Sequence, residues 1–179
     1  MIKAGIDVGG LSRFVGETFR WHVRYGRDGT REMLHAHRLT ALADTHEIPR
    51  DRTGPAALFL GSTDPSIQAS VLANAGTPSL VVLDTMTHWI RDRRDDFRML
   101  ARSADVLLLN EEEASLVSDG EQAVGIRTIL EDGCSWVVVK GGDQGVIAFG
   151  HDRAIAVSAP RPREVKDPTG VGDAFAGGL

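Results

Sequence analysis

Four continuous apolar runs, separated along the chain from Ala56 onward, constrain the possible folds most strongly. Runs without polar alternation are typical of strands that are buried on both faces of a sheet. Segments of helical character separate the runs, and strands that alternate with helices favour right-handed crossovers and a parallel sheet. The sequence therefore predicts an α/β fold, a Rossmann-like layered domain with a mostly parallel sheet. The runs are AALFLG (Ala56–Gly61), SLVVLDT (Ser79–Thr85), DVLLLN (Asp105–Asn110) and WVVVKGG (Trp136–Gly142).

The connections between these runs carry helix signals. DPSIQASVLANAG begins with Asp64 as an N-cap and Pro65 at the first helical position, and Gly76 ends it. HWIRDRRDDFRMLARSA is charged and amphipathic, and EEEASLV and EQAVGIRTILEDG are also helical in character. Beyond the fourth run, VIAFG and IAVSAP predict two further strands that turn at HDR.

The N-terminal part has a different pattern. TFRWHVRY (Thr18–Tyr25) alternates apolar and polar residues, as a strand with one solvated face does. GRDGT (Gly26–Thr30) predicts a turn, and REMLHAHRL predicts the returning strand. We expect a β-hairpin outside the main sheet, which is a candidate lid.

Composition limits the partners. The net charge of −5 argues against a nucleic-acid-binding surface, which normally carries a basic patch. The chain has 1 cysteine, Cys134, so neither an intramolecular disulfide nor a cysteine zinc site is expected. We find no apolar run long enough to cross a bilayer and no apolar core of a signal peptide in MIKAGIDVGG. We therefore expect a cytoplasmic protein without a membrane partner.

Polar or glycine residues stand where each predicted strand ends. They are Gly61, Asp84, Asn110, and Lys140 with Gly142. Ligands of open parallel sheets bind beyond the carboxyl ends of the strands, so these positions outline a binding edge. The alternative is that strand ends are polar because loops are solvated.

Two short segments at this edge each allow two interpretations. In NEEE, Asn110 with Glu113 is a variant of the capping box, which needs no ligand. The same pair is also consistent with an asparagine near a phosphate and a glutamate that holds a metal-bound water. In KGGDQG, the glycines permit either a simple hairpin turn or the close approach of a ligand.

The stretch KDPTGVGDAFAGGL carries the most specific chemistry. Asp167 and Thr169 are placed to cap a helix that starts near Gly170. Gly170 and Gly172 leave backbone N–H groups exposed at that helix start, where oriented donors and the helix dipole favour an anion. Asp173 beside them is placed to accept the proton of a hydroxyl while these groups stabilise phosphoryl charge.

DPTGVGDAF closely resembles the second signature of the ribokinase-like (PfkB) carbohydrate kinases. That family commonly reads Asp-Thr-Thr-Gly-Ala-Gly-Asp-x-Phe, so Pro168 and Val171 are departures. NEEE resembles the family's Asn-x-x-Glu motif, and KGGDQG resembles its nucleotide-side Gly-x-x-Gly loop. The three segments occur in the family's order, and the resemblance covers most of the chain.

The resemblance implies a ribokinase-like fold and an ATP- and Mg²⁺-dependent kinase that phosphorylates a hydroxyl of a sugar or related carbohydrate. Asp173 matches the catalytic base, and Glu113 matches the residue that organises magnesium. Residues 51–179 would then be the nucleotide-binding core, and residues 1–50 a lid with its connection. The anion hole is matched by Gly170, Val171 and Gly172, and nucleotide binding by Asn110, Lys140, Gly142, Gly145 and Thr169.

Family members are longer than this chain at both ends. We therefore expect an internal fragment of the fold, truncated at the C-terminal end and doubtful in activity by itself. A nucleoside kinase of the same fold and a non-catalytic nucleotide- or sugar-binding module are the alternatives. Lids of the family often pair between subunits, so the resemblance also implies a homodimer through the lid.

Overall fold

The computed structural model describes residues 5–9, 11, 20–26, 31–37, 55–161, 165 and 167–179. Contacts divide the chain into two compact units, Met1–Pro49 and Arg50–Leu179.

The first unit contains the hairpin that the sequence predicts. Strands β1 (Arg20–Tyr25) and β2 (Arg31–His37) pair antiparallel, from Arg20 opposite His37 to Tyr25 opposite Arg31. The pairing is irregular between His22 and Val23. Both strands form a two-stranded sheet that is separate from the main sheet. Thr18, Phe19, most of the predicted turn and the last residues of REMLHAHRL lie outside the described residues.

The second unit is built on a six-stranded sheet in which every strand lies beside its neighbour in the chain. The first four strands are parallel, and the last two are added antiparallel. This arrangement confirms the predicted α/β fold with a mostly parallel sheet. The strands are β3 (Ala57–Leu60), β4 (Leu80–Asp84), β5 (Val106–Asn110), β6 (Trp136–Lys140), β7 (Val146–Phe149) and β8 (Ala154–Val157).

Helices connect the parallel strands. The N-cap of the first helix is confirmed, because Asp64 accepts a hydrogen bond of 2.9 Å from the N–H of Ser66. The long charged stretch forms two helices that separate at Arg93. The Arg93 guanidinium lies 2.8 Å from Asp96 and 3.7 Å from Asp64. The helices are α1 (Pro65–Asn74), α2 (Thr87–Asp92), α3 (Arg94–Ala101), α4 (Glu111–Leu116), α5 (Gln122–Glu131) and α6 (Val171–Gly177).

Apolar residues pack on both faces of the main sheet. On one face, Leu83, Leu107 and Val137 are fully buried against residues of α1 to α5. On the opposite face, Leu108 packs with Ala176 of α6. The alternation of strand side chains between the two clusters explains why the strands are apolar throughout. It also brings α6, which carries Asp173, onto the sheet. Among the described residues, we find no helix with the length and apolar character needed to cross a membrane.

The thiol of Cys134 is expected to be inert in the folded chain. Cys134 is 0% exposed, and burial raises its pKa to about 11. Only the thiolate reacts with alkylating reagents, so iodoacetamide should label the folded chain very slowly at pH 8. In denaturant, labelling should be complete. Mass spectrometry measures the extent of labelling in both cases. Rapid labelling without denaturant would contradict the buried position.

Candidate active site

An ion pair joins two strands at the carboxyl edge of the sheet. Lys140 ends β6, and its Nζ lies 3.1 Å from Oδ1 of Asp84, which ends β4. The side chain of Asp84 is 9% exposed and that of Lys140 is 19% exposed. Asn110 ends the intervening strand β5 and is paired in register with Lys140. Three polar side chains therefore lie at the ends of adjacent strands, along the predicted binding edge.

Asn110 and Glu113 form the capping box at the start of α4. Oδ1 of Asn110 accepts from the N–H of Glu113, and Oε2 of Glu113 accepts from the N–H of Asn110, both at 2.8 Å. This cap uses the Oδ1 acceptor of Asn110 and leaves its two Nδ2 hydrogens, which are donors that suit a phosphate oxygen. The capping interpretation is confirmed, and it is compatible with a ligand at the same edge.

Glu113 is buried beside the ion pair. It is 5% exposed, and the backbone of Thr87 contributes to the electrostatic environment of its carboxylate. Burial raises the pKa of Glu113, and the hydrogen bond from Asn110 and the positive charge of Lys140 oppose this shift only in part. Asp84 raises the pKa further by repulsion. One ammonium and two carboxylates thus interact electrostatically at the ends of β4, β5 and β6.

Gln68 holds the ends of β3 and β4 together and was not identified from the sequence. It is 2% exposed, and its Nε2 donates to the carbonyls of Gly61 at 2.8 Å and Asp84 at 2.9 Å. A buried amide needs such partners, so Gln68 stabilises the backbone on which Asp84 is carried. Its spacing in the sequence could have identified it. Gln68 follows Pro65 by three positions and precedes Leu72 by four, which places it on the core side of α1.

The turn before α6 differs from the prediction in one respect. Asp167 and Thr169 were expected to cap the helix, but the N-cap position belongs to Gly170, and no side chain makes a cap hydrogen bond there. Oδ1 of Asp167 instead accepts from the N–H of Thr169 at 2.9 Å. These contacts with Thr169 lower the pKa of Asp167. Gly170 has the left-handed angles φ 80° and ψ 1°, which favour glycine.

Gly172 brings the start of α6 next to Lys140. A Cβ atom added to Gly172 would lie 3.7 Å from Lys140 Nζ. The carboxylate of Asp173 is exposed, and its Oδ2 lies 3.9 Å from the point where a Cβ of Gly170 would stand. Val171 is 62% exposed, so its backbone lies at the surface of this turn. The predicted base and anion hole are therefore next to the edge formed by Asp84, Asn110 and Lys140.

The predicted loop glycines stand further along the hairpin between β6 and β7. A short 3-10 helix (Gly142–Gln144) forms the turn, so the hairpin interpretation of KGGDQG is confirmed. A Cβ on Gly142 would meet no atom within 4 Å, whereas one on Gly145 would lie 2.0 Å from the carbonyl oxygen of Val157. Gly145 is thus required by the packing of β8. Nucleotide contacts of Gly142, Gly145 and Thr169 stay predictions.

The donor set at the edge suits a magnesium ion that is held mainly through water and substrate phosphates. Among the described residues, no three histidine, cysteine or acidic side chains form a metal cluster. Magnesium bound with phosphates needs only one or two carboxylates from the protein. Asp84 and Glu113 are carboxylates at this edge. The hydroxyl of Thr85, which follows Asp84, is buried without a hydrogen-bond partner in the described part of the chain. Such a polar atom fits a site that takes up water or a polar ligand.

A polar edge at parallel strand ends lies next to a glycine turn that precedes an aspartate, and this arrangement is a candidate phosphate-binding site on an α/β fold. Comparison with known families agrees with this class. Residues 67–179 match the pfkB family carbohydrate kinase, and the chain belongs to this family.

Individual relatives extend the comparison. The chain is 26% identical over 183 residues to a cytidine kinase of Thermococcus kodakarensis, covering 99% of this chain and 66% of that protein. The structure of Burkholderia thailandensis nucleoside kinase in complex with inosine has a TM-score of 0.69 and 20% identity, covering 90% of this chain and 53% of that one. A putative ribokinase II of E. coli in complex with ATP and Mg²⁺ has a TM-score of 0.50 and 29% identity, covering 63% and 36%. The chain thus spans just under two thirds of the cytidine kinase and about half of the nucleoside kinase.

Two glycine substitutions distinguish a folding role from an open position in the hairpin. Gly145→Ala should lower the free energy of unfolding by about 3 kcal/mol, because φ is +99° and the new Cβ would overlap a backbone oxygen. Gly142→Ala should cost only about 1 kcal/mol, since its φ of +59° is strained but the surrounding space is open. Urea unfolding measures both losses. Equal losses would contradict the close packing of Gly145.

Proposed function

We propose that this chain carries the catalytic core of a kinase that transfers the terminal phosphoryl group of ATP to a hydroxyl of a sugar or related carbohydrate. The observation that carries the proposal is the proximity of Lys140, on β6, to Gly172 at the start of the helix that bears Asp173. Phosphoryl transfer depends on positioning and on stabilisation of charge, and this edge offers donors, an ammonium and a carboxylate.

Asp173 is the base in this proposal. Its carboxylate accepts the proton of the acceptor hydroxyl as that oxygen bonds to the terminal phosphorus of ATP. The bond from phosphorus to the bridging oxygen breaks, and ADP leaves with the electron pair. The backbone N–H groups of Gly170, Val171 and Gly172 stabilise the negative charge on the oxygens of the phosphoryl group during its transfer.

The nucleotide and its metal are assigned to the neighbouring residues. Asn110 would donate through Nδ2 to a phosphate, and Glu113 would hold magnesium through water. Bound magnesium neutralises part of the phosphate charge. The remaining nucleotide contacts of the proposal are Lys140, Gly142, Gly145 and Thr169. The proposal also includes a cytoplasmic location and a homodimer through the β1–β2 hairpin.

A nucleoside is the second candidate acceptor. The observation that favours it is the alignment over 99% of the chain with a protein described as a cytidine kinase. The ribose of a nucleoside offers a hydroxyl of the same chemistry as a free sugar, so the proposed roles of the residues do not change.

The reaction is tested with an ATP- and Mg²⁺-dependent coupled assay against a panel of sugars and nucleosides. It should be run on this chain and on any longer open reading frame that contains it. Turnover on a panel member identifies the acceptor. ATP binding without turnover on any member, in either form, would favour the non-catalytic binding module instead.

Asp173→Asn should nearly abolish turnover. Loss of a general base typically costs about 10²–10⁴-fold in rate, whereas ATP binding, measured by calorimetry, should change little. Asp152→Asn is the matched control, because Asp152 is exposed in the turn between β7 and β8. Unchanged turnover in Asp173→Asn would remove this residue from the mechanism.

Glu113→Gln tests the magnesium assignment against the cap. The amide oxygen of glutamine can still accept from Asn110, so stability should fall by only about 1 kcal/mol. The magnesium concentration for half-maximal activity should rise several-fold, because the carboxylate charge is lost. Glu112→Gln on the same helix turn is the control, with a side chain that is 63% exposed. An unaltered magnesium titration in Glu113→Gln would leave this residue with the capping role alone.

A further inference from the structure

The Lys140–Asp84 pair is the most buried ion pair in the described part of the chain. Burying two charges is costly, and a well-packed apolar pair often serves the fold equally well. The pair therefore calls for an explanation other than stability. Of the three ammonium hydrogens of Lys140, one is directed to Asp84 in the contact of 3.1 Å.

Gly172 lies next to this ammonium. Gly172 lies within α6 and is not one of the glycines with positive φ, so its backbone does not require glycine. Glycine is unfavourable within a helix. Any larger residue would place its Cβ 3.7 Å from Lys140 Nζ. Glycine thus allows the backbone of the N-terminal turn of α6 to lie close to the ammonium, without a side chain beside it.

Electrostatics decides which ligand can approach this part of the edge. Asp84 and Glu113 are both negative when ionised, and both interact with Lys140 or with each other. An anion beside Gly172 would be repelled by these carboxylates if the ammonium were displaced. The contact with Asp84 holds the ammonium near Gly172, where its positive charge offsets this repulsion. The buried hydroxyl of Thr85, next to Asp84 in the chain, is a further polar group without a partner among the described residues.

We propose that Lys140 is a catalytic residue that binds the terminal phosphoryl group of ATP during its transfer, and that Asp84 is the positioning residue that holds its ammonium at the start of α6. This inference rests on the proposed kinase function. It assigns Lys140 to the transferred group, where the sequence placed it in the nucleotide loop. In this inference, Asp84 acts through Lys140, and its role is separate from the magnesium-binding role of Glu113.

A double-mutant cycle with Lys140→Met and Asp84→Asn tests the coupling. Lys140→Met should lower kcat by about 10²–10³-fold, the usual effect of losing one group that stabilises transition-state charge. Asp84→Asn should lower kcat by about 10–10²-fold through misplacement of the ammonium, with little rise in the KM for ATP. In the Lys140→Met background, Asp84→Asn should have almost no further effect on kcat. Independent, multiplicative effects would overturn the positioning role.

Stability and binding measurements separate this role from a structural one. Each single variant leaves an uncompensated buried charge, so its melting temperature should fall, and the double variant should recover much of the loss. The kcat of the double variant should stay low. Recovery of kcat together with stability would overturn the proposal. The control is Asp119→Asn, which removes the exposed partner of Arg94 and should leave kcat unchanged.

Calorimetric titration with ATP and with ADP gives a readout that does not need turnover. Lys140→Met should weaken binding of ATP more than binding of ADP, because only ATP carries the transferred group. Equal weakening of both nucleotides would overturn the assignment to the terminal phosphoryl group and leave the kinase proposal intact. If neither this chain nor a longer open reading frame that contains it binds ATP or turns over, the proposed function is refuted, and this inference with it.

Discussion

Parallel pairing of β3, β4, β5 and β6 in chain order brings the ends of these strands to one edge of the sheet, and the candidate site depends on this. Each pairing needs a helical crossover, and the crossovers bury one face of the sheet under α1 to α5. The opposite face is then available to α6, which packs on Leu108 and Val138. Strand-end side chains and the turn before α6 meet because the two faces are covered by different parts of the chain.

Most of the fold could be predicted because its signals are local. Apolar runs located the strands, and Asp64 with Pro65 located the start of α1. The break between α2 and α3 was not predictable in the same way. It lies at Arg93, whose partners include Asp64 from a distant part of the chain, and no local pattern contains that contact.

The candidate site was predictable to the extent that its residues interact within one segment. The spacing of Asn110 and Glu113 predicted their reciprocal hydrogen bonds. The pairing of Lys140 with Asp84 spans 56 positions. It depends on the order and register of the strands, which local sequence patterns do not predict. The caps expected from Asp167 and Thr169 were wrong because the two residues bond to each other and leave the cap position to Gly170.

Glu113 accepts a hydrogen bond from the backbone N–H of Asn110 and also interacts electrostatically with the backbone of Thr87. Asn110 and Thr87 belong to different strand–helix junctions. One carboxylate therefore links the junction after β4 to the junction after β5. Opening either junction would change the surroundings of this buried carboxylate, so the two junctions are coupled through its charge. Amide exchange at Asn110, whose N–H is bound by Glu113, would then respond to changes at the junction after β4 as well as to changes at its own.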